Sequence, residues 1–129
     1  MNSNSVNVAK FKAWLKSVDS YQRATALSIF VNTNTWDDDI DQLVIRIIQV
    51  DDDLTIRREA VRFITQRKDY RFKRVLEGAL DDSDWKVRGD AYLALTEIDS
   101  DCLFNERISR FLLEEVHPYG RWCIENKAK

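Results

Sequence analysis

The sequence contains very little glycine, proline and histidine, with three Gly, one Pro and one His in 129 residues. All-β sandwiches and barrels need more turn residues than this, whereas long helices joined by tight connections do not. Neither a glycine-rich phosphate loop nor a G-x-S-x-G sequence is present. The single His and the distant Cys102 and Cys123 lack the spacing of a His/Cys metal site. The composition therefore favours a helical protein that is not an enzyme and binds no metal or cofactor.

Long apolar runs are also missing from the sequence. No run approaches the length of a transmembrane helix, and the N-terminus lacks the apolar core of a signal peptide. The net charge of −2 gives no general attraction to nucleic acid or membrane. Cys102 and Cys123 are expected to be free thiols, with a disulfide as the second interpretation. These features predict a soluble, cytoplasmic protein that is monomeric when free and makes no membrane contact.

Apolar residues recur at helical spacing through most of the chain, and no strand pattern remains. The fold class is therefore predicted to be all-α, as a single domain over residues 1–129. About eight helices are expected in four antiparallel pairs, at residues 6–32, 37–67, 71–98 and 103–126. Acidic runs at 37–41, 51–53, 81–84 and 99–101 precede predicted helices. Helix capping is the favoured explanation for them, with divalent-metal binding as the alternative.

The most strongly patterned segment is 82–98, DSDWKVRGDAYLALTEI, which is typical of a turn followed by a helix. Residues 51–67 repeat this pattern 31 positions earlier. A period of this length in a helical chain indicates a repeat array. Both copies have an acid followed six residues later by an arginine, and Glu115 with Arg121 keeps this spacing in the last unit. The aligned helix positions are Ile56, Arg57, Ala60 and Ile64 against Val87, Arg88, Ala91 and Leu95.

The stretch DSDWKVRGDAYLAL resembles the consensus of HEAT-like (armadillo-type) helical repeats, closely over 37–98 and more weakly towards both ends. The resemblance implies an α-solenoid in which the second helix of each pair lines the concave side. It also implies a ladder in which each repeat arginine bonds an Asp of an adjacent repeat, since Arg can pair with a carboxylate through two hydrogen bonds. The ladder residues would be Asp51, Arg57, Asp82 and Arg88.

The concave face can be approximated by removing the apolar and ladder positions from the second helices. What remains is a mixed polar surface with aromatic ends, which is typical of protein recognition rather than of an apolar ligand pocket. The predicted partner-binding residues are Tyr21, Thr25, Arg58, Glu59, Arg62, Lys86, Asp90, Leu93, Glu97, Tyr119 and Trp122.

The charge is unevenly distributed, because eight basic residues within 57–74 are opposed by only two acids. A solvated surface matched to the helix dipoles is the favoured explanation. The alternative is a basic stripe that binds phosphate, nucleic acid or an acidic protein. The basic stripe consists of Arg57, Arg58, Arg62, Arg67, Lys68, Arg71, Lys73 and Arg74.

Four tryptophans and the single histidine complete the candidates. Trp14 and Trp85 fall at positions where packing is expected, whereas Trp36 and Trp122 suit either packing at the ends of the array or contact with a partner. His117 precedes Pro118 at a predicted helix junction and is expected to be a surface residue, with a catalytic base as the alternative.

Small HEAT-like proteins of this kind resemble the immunity proteins of bacterial toxin–immunity systems, which neutralise a toxin by occlusion. The resemblance implies a protein that binds a cognate toxin domain, with Asp90, Glu97 and the acidic turns facing a basic partner. Two alternatives remain open. One is a nucleic-acid-binding protein that uses the basic stripe, and the other is a lyase- or cofactor-associated HEAT-like adaptor.

Overall fold

The computed structural model describes residues 3–30, 38–99 and 106–127, and over these residues the fold is all-α. A 3-10 turn at Tyr70–Phe72 precedes α5, and no strand occurs in the described ranges. Within the same ranges, no helix is both long and apolar enough to cross a membrane. The eight helices are α1 (Ser3–Leu15), α2 (Ser20–Phe30), α3 (Asp38–Val50), α4 (Leu54–Thr65), α5 (Lys73–Ala79), α6 (Trp85–Ile98), α7 (Glu106–Glu114) and α8 (Pro118–Lys127). Over the described residues, the predicted all-α class and the predicted number of about eight helices are confirmed.

Aspartates begin several of these helices by accepting backbone hydrogen bonds. Asp84 is the N-cap of α6 and accepts from the backbone N–H of Val87 at 3.0 Å. Asp53 accepts from the N–H of Thr55 at 2.9 Å at the start of α4. A carboxylate at this position satisfies amide groups that have no partner within the helix. The capping explanation is therefore confirmed for these two aspartates.

The helix ends differ from the predicted ones by a few residues. The helix expected over 71–80 starts as a 3-10 turn, because Asp69 accepts from the N–H of Arg71 and opens the turn one residue earlier. The helix expected to reach residue 116 ends at Glu114. Proline disfavours helical backbone at the residue that precedes it, so α7 cannot continue through His117 into α8.

The chain divides into two compact units, here called unit 1 (Met1–Phe63) and unit 2 (Ile64–Lys129). In unit 1, α1 packs against α2 and α3. The rings of Phe11 and Phe63 lie 5.8 Å apart in its core. In unit 2, α6 packs against both α5 and α8. Its predicted apolar residues Val87, Ala91 and Leu95 are fully buried.

Candidate functional site

The N-terminal halves of α6 and α8, together with the residue before α8, form an aromatic patch in unit 2, defined as Trp85, Lys86, Asp90, His117, Tyr119 and Trp122. Close approach of the two helices depends on Gly89. A Cβ at this position would lie 2.6 Å from Cε2 of Tyr119 and 3.1 Å from Sγ of Cys123. The missing side chain therefore leaves the space that the Tyr119 ring occupies.

The four rings of the patch contact one another in sequence. Trp85 and His117 are stacked, with centroids 4.5 Å apart and planes inclined by 4°. Tyr119 meets Trp85 edge to face at 5.4 Å, and it stacks against Trp122 at 6.1 Å. Such contacts add stabilisation beyond the burial of area and fix the ring orientations. Trp122 nevertheless remains 53% exposed, so its indole is available at the surface.

Polar groups hold Tyr119 in place. Its hydroxyl donates to Oδ1 of Asp90, and Nζ of Lys86 lies 3.2 Å from Oδ2 of the same carboxylate. The ammonium group also sits 4.6 Å from the centroid of the Tyr119 ring, a cation–π distance. Burial, together with the hydrogen bond to Asp90, raises the pKa of Tyr119. The phenol therefore stays protonated and acts as a donor at any physiological pH.

The side chain of His117 contacts the backbone at the start of α8. Its Nδ1 accepts a hydrogen bond from the N–H of Tyr119 at 3.1 Å, so the imidazole caps the first turn of α8. The imidazole ring also stacks on the indole ring of Trp85. Both contacts position the ring within the patch.

Cys123 lies beneath the patch and is fully buried. Burial raises the pKa of this thiol, which opposes formation of the reactive thiolate. Within the described residues, no group of three His, Cys, Asp or Glu side chains is arranged to hold a metal ion. The arrangement is suited to presenting fixed aromatic rings at the surface.

Four of the predicted partner-binding residues come together in this patch, namely Lys86, Asp90, Tyr119 and Trp122. The remaining members on α6 differ in exposure, with Leu93 half-buried and Glu97 exposed. In unit 1, Tyr21 is exposed at the start of α2 and its carbonyl accepts from the hydroxyl of Thr25 at 2.7 Å. On α4 of the same unit, Arg58 and Glu59 are half-buried, and Arg62 is exposed.

The ladder residues take part in a recurring hydrogen-bond pattern. Nη1 of Arg57 donates to the carbonyl of Asp51 at 2.7 Å, and Nη1 of Arg88 donates to the carbonyl of Asp82 at 3.1 Å. The acid-x5-Arg spacing thus lets the arginine reach back to the turn that starts its own helix.

Carboxylates complete the pattern within each unit. In unit 1, Arg23 forms a two-pronged pair with Asp51, at 2.8 Å and 3.1 Å. In unit 2, Nε of Arg88 lies 2.8 Å from Oε1 of Glu115. Both pairs are largely shielded from solvent, which suits a role in holding helices together.

Several cations of the basic stripe are engaged within unit 2. Arg71 pairs with Asp69 at 2.8 Å, and Arg67 lies 3.8 Å from the same carboxylate. Lys73 pairs with Asp99 at 2.9 Å, and this contact together with the hydroxyl of Tyr70 raises the pKa of the lysine. Two carboxylates, Asp69 and Asp99, therefore offset part of the charge of these three cations.

Trp36 and Cys102 lie outside the described residues.

Two residues of the patch were not among the predicted partner-binding residues. The sequence predicted packing for Trp85 and a surface position for His117, and both contribute rings to the patch. Gly89 was not singled out at all. The sequence does contain an indication of its role, because Gly89 stands where the aligned helix has Arg58. A glycine inside a helix lowers stability, so its presence there suggests that a neighbouring group needs the space.

No protein-family profile, curated protein or solved structure matches this chain.

Proposed function

We propose that this chain is a non-catalytic protein-binding module in which the aromatic patch anchors a partner protein. The observation that supports the proposal is the state of Trp122. Its indole is half exposed, yet it stacks on Tyr119, which is itself held by Asp90 and Lys86. A large ring that is fixed before binding loses little conformational entropy when a partner covers it. Tryptophan and tyrosine are also the residues most often found at the energetic centre of protein interfaces.

The wider architecture is proposed to be a HEAT-like α-solenoid. Support comes from the repeat pattern in the sequence and from the matching geometry of Arg57 and Arg88, which bond the carbonyls of Asp51 and Asp82 in the same way. Equivalent arginines in equivalent places are expected if the two segments are copies of one structural unit.

The physiological role is proposed to be immunity, by binding and neutralising a toxin domain. A basic toxin would find exposed carboxylates such as Asp52, which is almost fully exposed in unit 1. Asp90 contributes less to this attraction than the sequence suggested, because Lys86 and Tyr119 already contact its carboxylate. Apolar contact at Trp122 would then supply affinity, while charge would mainly speed association.

The proposal is tested by capturing partners from the source cells on the immobilised chain, identifying them by mass spectrometry and titrating the purified partner. Trp122→Ala is expected to weaken binding by about 30-fold or more, the cost of a central interface tryptophan. Tyr70→Ala is the control, since Tyr70 is an exposed aromatic of unit 2 outside the patch. The toxin assignment requires that the captured protein inhibits growth when expressed alone and ceases to do so when this chain is co-expressed.

Two results would contradict the proposal. One is a partner whose affinity is the same for wild type and Trp122→Ala. The other is a shift of duplex DNA or RNA that weakens with salt, which would point to the basic stripe instead.

A further inference from the structure

A groove in unit 1 lies between the C-terminal end of α1 and one side of α3, remote in sequence from every residue of the aromatic patch. It has a volume of about 370 Å³. Its apolar lining consists of Leu15 and Ile47, which are buried, Leu43, which is half-buried, and Val50, which is 66% exposed. We call it the α1–α3 groove. Its size and lining are sufficient for one or two bulky apolar side chains.

A second, more polar depression of about 590 Å³ continues from this groove along α3. The two share three lining residues, Lys16, Leu43 and Arg46. Both shared cations are exposed, and they stand where the apolar part meets the polar part. A segment that crosses from one part to the other would therefore pass beside Lys16 and Arg46.

The charge of this surface is positive although the whole chain is negative. Four basic and two acidic side chains line the two depressions. Each acid has a basic neighbour, because Arg23 pairs with Asp51 at 2.8 Å and Lys12 lies 3.4 Å from Asp39. Among residues 3–30, 38–99 and 106–127, neither Lys16 nor Arg46 forms an ion pair. Two positive charges are thus left over beside an apolar floor.

We propose that the α1–α3 groove is a docking site for an acidic protein segment with bulky apolar side chains. The apolar residues of the segment would cover Leu43 and Val50, and its carboxylates would pair with Lys16 and Arg46. Arginine and lysine at the edge of an apolar groove favour such a ligand, because carboxylates keep charge-assisted hydrogen bonds while the apolar residues leave water. The site has the opposite charge preference from the proposed toxin-binding function and does not depend on it.

The test uses three fluorescein-labelled short peptides of equal length. One alternates Glu and Leu, the second has Ser in place of Leu, and the third has Lys in place of Glu. Fluorescence anisotropy is expected to show binding of the Glu/Leu peptide, weaker binding of the Glu/Ser peptide and none of the Lys/Leu peptide. Raising the salt concentration is expected to weaken the Glu/Leu complex, since exposed ion pairs are screened.

The variant Lys16→Glu/Arg46→Glu is expected to lower affinity for the Glu/Leu peptide by about tenfold or more. Arg110→Glu is the matched control, because Arg110 is an exposed arginine on α7 in unit 2, outside the groove. Thermal unfolding checks that all variants remain folded, as substitutions at exposed positions should allow. In NMR spectra, the methyl groups of Leu43 and Val50 are expected to shift on binding.

Any of three results overturns the proposal. The first is the absence of binding by the Glu/Leu peptide, and the second is equal affinity for wild type and the double charge reversal. The third is concentration-dependent self-association of wild type that the double variant abolishes, which would show that a second copy of the chain occupies the groove.

Discussion

Arg88 and Glu115 form an ion pair in which the side chains are 21% and 5% exposed, with Nε and Oε1 2.8 Å apart. The pair joins α6 to the segment between α7 and α8. The same guanidinium donates from Nη1 to the carbonyls of Asp82 and Ser83. Arg88 therefore connects the turn that starts its own helix with the segment that leads into α8 and the aromatic patch.

Replacing Glu115 by Gln is predicted to destabilise the chain, because the largely shielded guanidinium of Arg88 would lose its carboxylate partner. The side-chain shape is preserved, which matters because a Cβ on Gly120 would lie only 2.3 Å from Cγ of Glu115. The free energy of unfolding is expected to fall by about 1–3 kcal/mol in urea titrations. Glu114→Gln is the control, since Glu114 is exposed, and it should change stability by less than about 0.5 kcal/mol. Equal effects of the two variants would show that the pair contributes nothing.

Adding a methyl group at two helical glycines is predicted to have opposite effects. At Gly89 the new Cβ would collide with the Tyr119 ring, and the overpacking should cost about 1–3 kcal/mol despite the gain in helix propensity. At Gly78 the nearest atom is Nη1 of Arg107 at 3.7 Å, so Gly78→Ala should stabilise the chain by up to about 1 kcal/mol. Thermal unfolding of both variants measures the contrast. A Gly89→Ala variant as stable as Gly78→Ala would mean that α8 can move away from α6 at no cost.

The pair of Asp69 with Arg71 predicts a small dependence of stability on acid. The hydrogen bonds from the side chain and backbone of Arg71 lower the pKa of Asp69 below 3.8. A lowered pKa stabilises the folded state above pH 3.8, and this contribution disappears as the pH falls through the folded pKa. Since the Arg71 side chain is 56% exposed, the contribution should be below about 1 kcal/mol.

The comparison that isolates this effect is wild type against Asp69→Asn, because Asn retains the capping oxygen but has no charge. The stability difference between the two chains is expected to be largest near neutral pH and to shrink below pH 3.8. Urea titrations at several pH values measure it. A difference that stays constant down to pH 3 (about one unit below the ordinary value of Asp) would refute the assignment to Asp69.

Cys123 is predicted to resist alkylation in the folded chain. Its thiol is buried and its raised pKa keeps it protonated. In a chain with Cys102→Ala, iodoacetamide should label Cys123 at least about 100-fold more slowly in the folded protein than in protein unfolded in urea. The reason is that the folded chain must open locally before the thiol can react. Tyr119→Ala should speed labelling by removing the ring that lies against the thiol. If Tyr119→Ala reacts as slowly as the parent, the ring does not protect Cys123.

The sequence alone predicted the helices to within a few residues at their ends. Helices are specified by the spacing of apolar residues and by capping aspartates such as Asp53 and Asp84. Both signals act between residues only a few positions apart, so they can be recognised in the sequence. The apolar face of α6 was predicted for the same reason, and it is buried. The acid-x5-Arg spacing is also local, since Arg57 and Arg88 reach back only six residues to their carbonyls.

Only the tertiary structure decided which surface residues meet. The sequence predicted that Lys86 and Asp90 would be available to a partner. Nothing in α6 shows that the hydroxyl of Tyr119, about thirty residues later, forms hydrogen bonds with both side chains. The partners of Trp85 and the purpose of Gly89 follow from the approach of α8, which is a long-range contact. The leftover charge of Lys16 and Arg46 likewise becomes visible only once Arg23 and Lys12 are seen to neutralise the nearby acids. Periodicity specifies the buried side of a helix, whereas the exposed side depends on which other helix arrives beside it.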